Sequence, residues 1–194
     1  MDDSTSGNEH SGAPGYEGDD PSPEAERHLL IALFPDRGVQ LAIEKHREDW
    51  LWPKGHRFPS SARLHLTLNS LPDTSDEESL ACLHTALAEV RMEPLQLTLA
   101  SSCTWKNDIS VVLLDEHDKL RALRSDIARA VKHAGYETRR AAWTPHITIA
   151  RHARGAARPP SLDPVFWEST HFALVRSHPW PYVRHEVLTS YRAS

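Results

Sequence analysis

Two tetrapeptides of one pattern, His65-Leu66-Thr67-Leu68 and His146-Ile147-Thr148-Ile149, carry the chemistry legible in this 194-residue chain. Each reads His-x-Thr-x with an aliphatic residue at both x positions, and 81 positions separate the two histidines. Side chains alternate between the faces of a β-strand, so each His shares a face with its Thr. Leu66, Leu68, Ile147 and Ile149 then point the opposite way, into a core. If two such strands lie side by side, two imidazoles and two hydroxyls converge on one small volume. Opening a ribose 2′,3′-cyclic phosphate needs a group that takes a proton from water and another that gives one to the departing sugar oxygen. Imidazole suits both tasks because its pKa of about 6.5 leaves both protonation states populated near neutrality. The threonine hydroxyls can donate to the non-bridging phosphate oxygens. Proton transfer of this kind needs no metal, and no cofactor is expected.

Their local context, Leu64 to Leu68 and Pro145 to Ile149, resembles the 2H phosphoesterase superfamily, in particular its RNA 2′,3′-cyclic phosphodiesterase (2′-5′ RNA ligase-like) branch. The run Leu29 to Pro35 is similar to that family's first strand. The likeness spans residues 27–194. It implies an α+β fold of two pseudo-symmetric lobes, each an antiparallel sheet with outer helices, around a central cleft. It also implies that His65 is the proton donor and His146 the proton acceptor, with Thr67 and Thr148 on the phosphate and a 2′-phosphate as product. Arg151, five residues after His146, matches a basic residue of the family and would bind the phosphate. Its parity opposes the catalytic face, so it serves only if the strand bends or ends near Ala150. Trp143 matches a family aromatic, with core packing or base stacking as its roles. One departure is the run Asn69-Ser70-Leu71-Pro72, where the family has Leu-Gly. Proline cannot take the positive φ open to glycine, so a different turn is expected there.

The elements that must position these residues follow from periodicity. His28 to Phe34 reads as a buried strand ending at Pro35. Asp36 caps a helix with Val39, Ala42, Ile43 and His46 on one face. Ser75 to Glu78 is a capping-box signature for a second helix facing inward through Leu80, Leu83, Leu87 and Val90. Leu95 to Leu99 and Ile109 to Leu114 form a hairpin across Trp105 to Asp108. Asp115 caps a third helix with Leu120, Leu123, Ile127 and Val131 inward and Gly135 as its stop. Phe166 to Val175 and Val183 to Tyr191 close the chain as single strands. The expected order is β-α-β-α-β-β-α-β-β-β.

Residues 1–26 hold eight acidic side chains and no Lys or Arg, with no aliphatic run, and are expected to be a disordered tail. The whole chain has 22 basic and 27 acidic residues, so residues 27–194 hold 22 against 19, a net of +3. A mildly basic body suits RNA 3′ ends or small cyclic nucleotides better than long duplex. No apolar stretch approaches the ~20 residues of a membrane span and no signal-peptide pattern is visible, so a monomeric cytoplasmic protein without membrane contact is expected. Cys82 and Cys103 have no framework spacing and are expected as free thiols, Cys82 near the apolar face of its helix.

Zinc merits weighing in a chain of thirteen histidines, but neither motif has ligand spacing. The remaining histidines, His185 among them, are expected at surface or hydrogen-bonded positions. Arg154 and Arg158 either extend a basic rim or belong to a solvated loop, while Trp50 and Trp52 either present a base platform or pin their loop. Two other functions stay open: a phosphodiesterase for another cyclic nucleotide or a 2′-5′ oligonucleotide, and an RNA-end-binding module without turnover.

Overall fold

The computed structural model describes residues 27–73, 76–105, 108–138, 142–178 and 184–193. The elements run β1 (His28–Leu33), α1 (Arg37–Glu48), a single 3₁₀ turn (Ser61–Arg63), β2 (Leu66–Pro72), α2 (Glu77–Ala88), β3 (Leu95–Thr104) and β4 (Ser110–Leu114). They continue with α3 (Asp118–His133), β5 (His146–Ala150), β6 (Val165–Ser169), β7 (His171–His178) and β8 (Arg184–Arg192). All eight strands belong to one curled antiparallel sheet of order β6-β3-β4-β5-β2-β1-β7-β8. The class is α+β, as expected. No helix among the described residues is long and apolar enough to cross a membrane.

The sheet divides into two halves of four strands that meet where β5 lies beside β2. In one half β1-α1-β2 forms an antiparallel pair with a helix in its connection, and in the other β4-α3-β5 does the same. That is the two-lobed repetition expected from the sequence, built here as one continuous sheet. Each connecting helix crosses to the opposite half, α1 against β6 and α3 against β2. The helices thereby strap the halves together, while the β2–β5 seam carries one register pair, Leu66 opposite Ile147.

The helices cover one face of the sheet with the main core. Val39 and Ile43 of α1, Leu83 and Leu87 of α2, and Leu120, Leu123, Ile127 and Val131 of α3 are buried there against Leu66, Leu68, Ile147 and Ile149. The caps follow from local chemistry. Asp36 accepts from the Val39 amide at 3.0 Å, and Asp76 accepts from the Ser79 amide at 3.0 Å. Ser75 of the expected capping box lies outside the described residues. Helix α3 stops at Gly135, whose φ of +88° is open to glycine at little cost.

Four expectations need correction. The cap of α3 is His117, whose Nδ1 accepts from the Leu120 amide at 3.1 Å, because the helix begins only at Asp118, three residues beyond Asp115. The segment Phe166 to Val175 is two strands broken at Thr170; β6 pairs with β3 in one half and β7 with β1 in the other. The break falls inside the polar run Glu168-Ser169-Thr170-His171, which interrupts the apolar pattern without showing that the partner changes. Asn69 to Pro72 forms no turn: β2 continues through Pro72, pairing with His28. The pairing carries a bulge, since Ala32 pairs with Thr67 but Ile31 pairs with Asn69, leaving Leu68 as the extra residue. Cys82 is exposed rather than near the apolar face; both cysteines are free, as expected.

Candidate active site

The uncovered face of the sheet carries both motifs. Antiparallel register, extended one residue either side of Leu66 and Ile147, sets His65 opposite Thr148 and Thr67 opposite His146. Directly opposed residues in such a ladder have Cα atoms about 4.5–5.5 Å apart. The four side chains therefore form a square across the seam, with histidines on one diagonal and threonines on the other. His65 stands one residue ahead of β2, just after the 3₁₀ turn, and the alternation still holds: Leu64, Leu66 and Leu68 are buried while His65 and Thr67 are half-buried. Small and apolar neighbours flank the square, Ala32 beside Thr67 and Val111 beside Thr148. A second small cluster of Leu30, Ala173 and Val175, packed by Phe34, continues this face.

Both imidazoles are oriented in the same way. His65 Nδ1 lies 2.6 Å from Arg63 O, and His146 Nδ1 lies 2.7 Å from Thr144 O. A carbonyl only accepts, so in each ring Nδ1 carries the hydrogen, and Nε2 is the nitrogen that exchanges protons. The two motifs thus repeat a contact to the residue two positions earlier as well as a sequence. Burial holds His146 below the usual histidine range, opposed by the Thr144 contact, which favours its charged form. His146 is therefore neutral near pH 7, with a lone pair on Nε2. That is the state of a proton acceptor.

Aromatic rings fix both imidazoles from outside. Trp105, which the sequence places only in a hairpin turn, packs its ring 4.5 Å from that of His146 at 64°. Phe34 lies 5.8 Å from the ring of His65. His185 of β8 lies 4.9 Å from the ring of His65 at 72°. The expectation of a surface or hydrogen-bonded His185 is overturned: its two ring nitrogens are buried without a hydrogen-bond partner among the described residues. Leaving such a group unpaired costs about 1–3 kcal/mol. Phe34 follows Leu33, which pairs with Leu66, so its contact continues the β1–β2 register, whereas Trp105 follows β3 and His185 lies in β8, strands that do not adjoin the motif they touch.

Arg151 follows the last residue of β5, so the strand does end at Ala150. The backbone of Arg151 bridges that of Arg57, with both N–H···O distances 2.9 Å, and sets two arginines side by side. Trp143 packs against the main core and donates through Nε1 to Thr67 O at 3.1 Å, while the Arg124 guanidinium lies 4.8 Å over its ring. It thereby ties the lead-in of the second motif to the first. Trp143→Phe keeps the ring and removes the donor. It should lower stability by about 1 kcal/mol and turnover several-fold; an unchanged unfolding midpoint and unchanged kcat would dismiss the tie.

The other candidates take plainer parts. Trp50 and Trp52 stack at 4.7 Å and are pinned through their indole nitrogens to His46 Nε2 and Arg47 O, so they hold their loop. Arg154 pairs with Asp108, and Arg158 donates to Ser102 O, tying the following loop to the β3–β4 hairpin. Among the described residues no group of three or more His, Cys, Asp or Glu side chains could hold a metal ion.

A family profile described as the 2′-5′ RNA ligase superfamily matches residues 35–186, more than half of the chain. The chain belongs to this superfamily. Its fold is similar to that of several solved structures. A structure described as a phosphoesterase is 23% identical with a TM-score of 0.76, covering 88% of this chain and 99% of its own. Escherichia coli LigT in complex with NADP+ is 22% identical with a TM-score of 0.74, covering 87% and 99%. TT0787 of Thermus thermophilus is 25% identical with a TM-score of 0.68, covering 85% and 97%. Among curated proteins nothing matches. Membership of the superfamily makes phosphoester hydrolysis or ligation the chemistry of this fold.

Proposed function

We propose that this superfamily member hydrolyses 2′,3′-cyclic phosphates at RNA 3′ ends, or on small nucleotides, to the 2′-phosphate, with two histidines and no metal. The observation that carries this reading is the diagonal pair of imidazoles, each with Nδ1–H committed to a backbone carbonyl, which makes Nε2 the proton-exchanging nitrogen of both. Water attacks phosphorus in line with the 3′ oxygen, and His146 Nε2 takes its proton. As the bond from phosphorus to the 3′ oxygen breaks, His65 gives that oxygen the proton on its Nε2. Thr67 and Thr148 donate to the non-bridging oxygens, and Arg151 neutralises charge on the phosphoryl group. Solvent then returns each ring to its starting state. With a ribose 5′-hydroxyl in place of water as the nucleophile, the same ring opening joins RNA ends through a 2′-5′ bond and frees the 3′-hydroxyl.

Solved structures of E. coli LigT in complex with phosphate, 3′-AMP and ATP support a nucleotide-sized ligand for this cleft. The net +3 of residues 27–194 suits one terminal nucleotide or a short single strand better than duplex. Substrate, roles of these five residues, monomeric state and cytoplasmic location together make up the proposal.

The test is a short RNA ending in a 2′,3′-cyclic phosphate, incubated with the protein in excess EDTA, with products typed as 2′- or 3′-phosphate. Conversion to the 2′-phosphate alone is expected. A 3′-phosphate product would reverse the direction of ring opening, and dependence on added metal would overturn the two-histidine mechanism. Binding without conversion would favour another cyclic substrate or an end-binding module.

A further inference from the structure

Strict alternation along β5 would turn Arg151 away from the square, but β5 does not alternate strictly. Thr148 pairs with Val111 and Ala150 pairs with Ser110, which leaves Ile149 as an extra residue. Two residues of a bulged strand then stand where the ladder expects one, and the parity beyond them is reset. Burial agrees: Ile149 and Ala150 are both buried, and Arg151 is half-buried like Thr148. Arg151 therefore returns to the face of His146 and Thr148.

The chain that pairs with Arg151 is the one leading into the first motif. Arg57 forms that bridge, and directly opposed residues of a ladder project to the same face. Arg57 thus shares the catalytic face, and it is exposed. Six residues away on each chain, Leu51 opposite Ala157 keeps the same register. The next residues along are held as well: the buried Arg47 guanidinium lies 5.0 Å over the Phe58 ring and donates to Pro59 O at 3.4 Å. Backbone pairing on one side and packing on the other fix where Arg57 stands.

The seam therefore carries a second rung beyond the one that sets His65 opposite Thr148, and this rung is made of two arginines. Like charges directly opposed in a ladder are unfavourable, and among the described residues no carboxylate pairs with Arg57. An anion between the two guanidiniums replaces that repulsion with charge-assisted contacts. Three residues of chain, at most about 10 Å, separate Thr148 from Arg151, which is the reach of one nucleoside. The reacting phosphate lies within the square, so an anion on the second rung is a different one. On an RNA 3′ end the nearest such anion is the phosphodiester that joins the terminal nucleoside to the rest of the strand.

We propose that Arg57, opposite Arg151, binds the phosphodiester on the 5′ side of the terminal nucleoside, so that the site prefers the end of an RNA strand to a free nucleoside cyclic phosphate. The proposal rests on the phosphodiesterase reading above and names the substrate class of that same site. Arg151 stands between the two phosphates, and Arg57 serves the second.

The experiment has a kinetic and a binding arm, each run on the full chain, on Arg57→Ala and on Arg154→Ala. Adenosine 2′,3′-cyclic phosphate is compared with the dinucleotide adenylyl-adenosine 2′,3′-cyclic phosphate for turnover, and adenosine 2′-phosphate with adenosine 2′,5′-bisphosphate for calorimetric affinity. The unmodified protein should favour the second member of each pair about tenfold, the effect of one charge-assisted contact, and Arg57→Ala should bring both ratios close to one. The slope of log affinity for the bisphosphate against log salt should also become shallower by about 0.7 in Arg57→Ala. Arg154→Ala removes the same charge from an exposed arginine paired with Asp108, and it should keep both ratios. Retention of the preferences in Arg57→Ala overturns the proposal. Equal losses in the two variants also overturn it, since general attraction between charges would then suffice, and so does an equal fall for both members of a pair, which would assign Arg57 to the reacting phosphate. If neither cyclic phosphate is opened but the binding preference is present and Arg57→Ala abolishes it, the phosphodiesterase reading falls and the second phosphate site stands.

Discussion

His65→Ala and His146→Ala should each lower kcat/KM for a 2′,3′-cyclic phosphate by about 10²–10⁴-fold, the usual contribution of one positioned proton-transfer group. The fold should survive, because both rings lie on the face opposite the main core and hold the carbonyls of Arg63 and Thr144 rather than a core contact. The double variant should lose little more than either single one, since both rings serve the same step. Thr67→Ala and Thr148→Ala remove one neutral hydroxyl each and should cost about tenfold. The pH profile separates the two histidines. Burial lowers the pKa of His146, so its Nε2 remains unprotonated as pH falls through the ordinary histidine value of about 6.5. The acid limb of kcat/KM should therefore lie below pH 6.5 in the unmodified protein and vanish in His146→Ala. Near-normal turnover in either single variant would end the assignment of that histidine, and an acid limb above pH 6.5 would remove His146 from the role of base.

The second large effect is on stability. Leu66 and Ile147 oppose each other at the one register pair of the β2–β5 seam, and both are 0% exposed. Truncating either to Ala leaves a cavity beneath the square of His and Thr, where α3 packs on β2. The expected loss is about 2–5 kcal/mol, a large share of the roughly 5–15 kcal/mol that holds a domain of this kind folded. Denaturant unfolding at constant m-value reads it directly. Thr67→Ala, one residue along and on the other face, should stay within about 1 kcal/mol of the unmodified protein. Equal losses at the two positions would refute the assignment of opposite faces on which the site depends.

Much of this was legible from residue order alone. Alternation around His65 and His146 placed the quartet on one face and its aliphatics in the core, because strand geometry leaves no other arrangement. The helix faces were equally plain, since a period of 3.6 over three or four turns is hard to counterfeit. What escaped depends on tertiary closure. The break at Thr170 lies in the polar run Glu168 to His171, but which strand each half pairs with is decided only by the rest of the sheet. The bulge at Leu68 is set by pairing with β1, which the motif's own residues do not specify. Trp105 and His185 reach the motifs from strands that do not adjoin them, and Phe34 does so through the β1–β2 register. His185 in particular looks ordinary in sequence, and its burial comes from a strand at the opposite edge.

The order in which the chain is made has a bearing on when the site can exist. Residues 95–169 supply β3 to β6 as one uninterrupted stretch, so that half of the sheet can close while later residues are still being added. The other half cannot. β1 waits for β7, which pairs with it across an intervening stretch of more than 130 residues, and β8 follows β7. Until then the first motif belongs to an incomplete sheet whose outer edge is open to other extended chains. β7 closes that edge, and His185 arrives later still, with the edge strand β8. A nascent chain thus carries both motifs well before the half of the sheet that holds the first of them is complete.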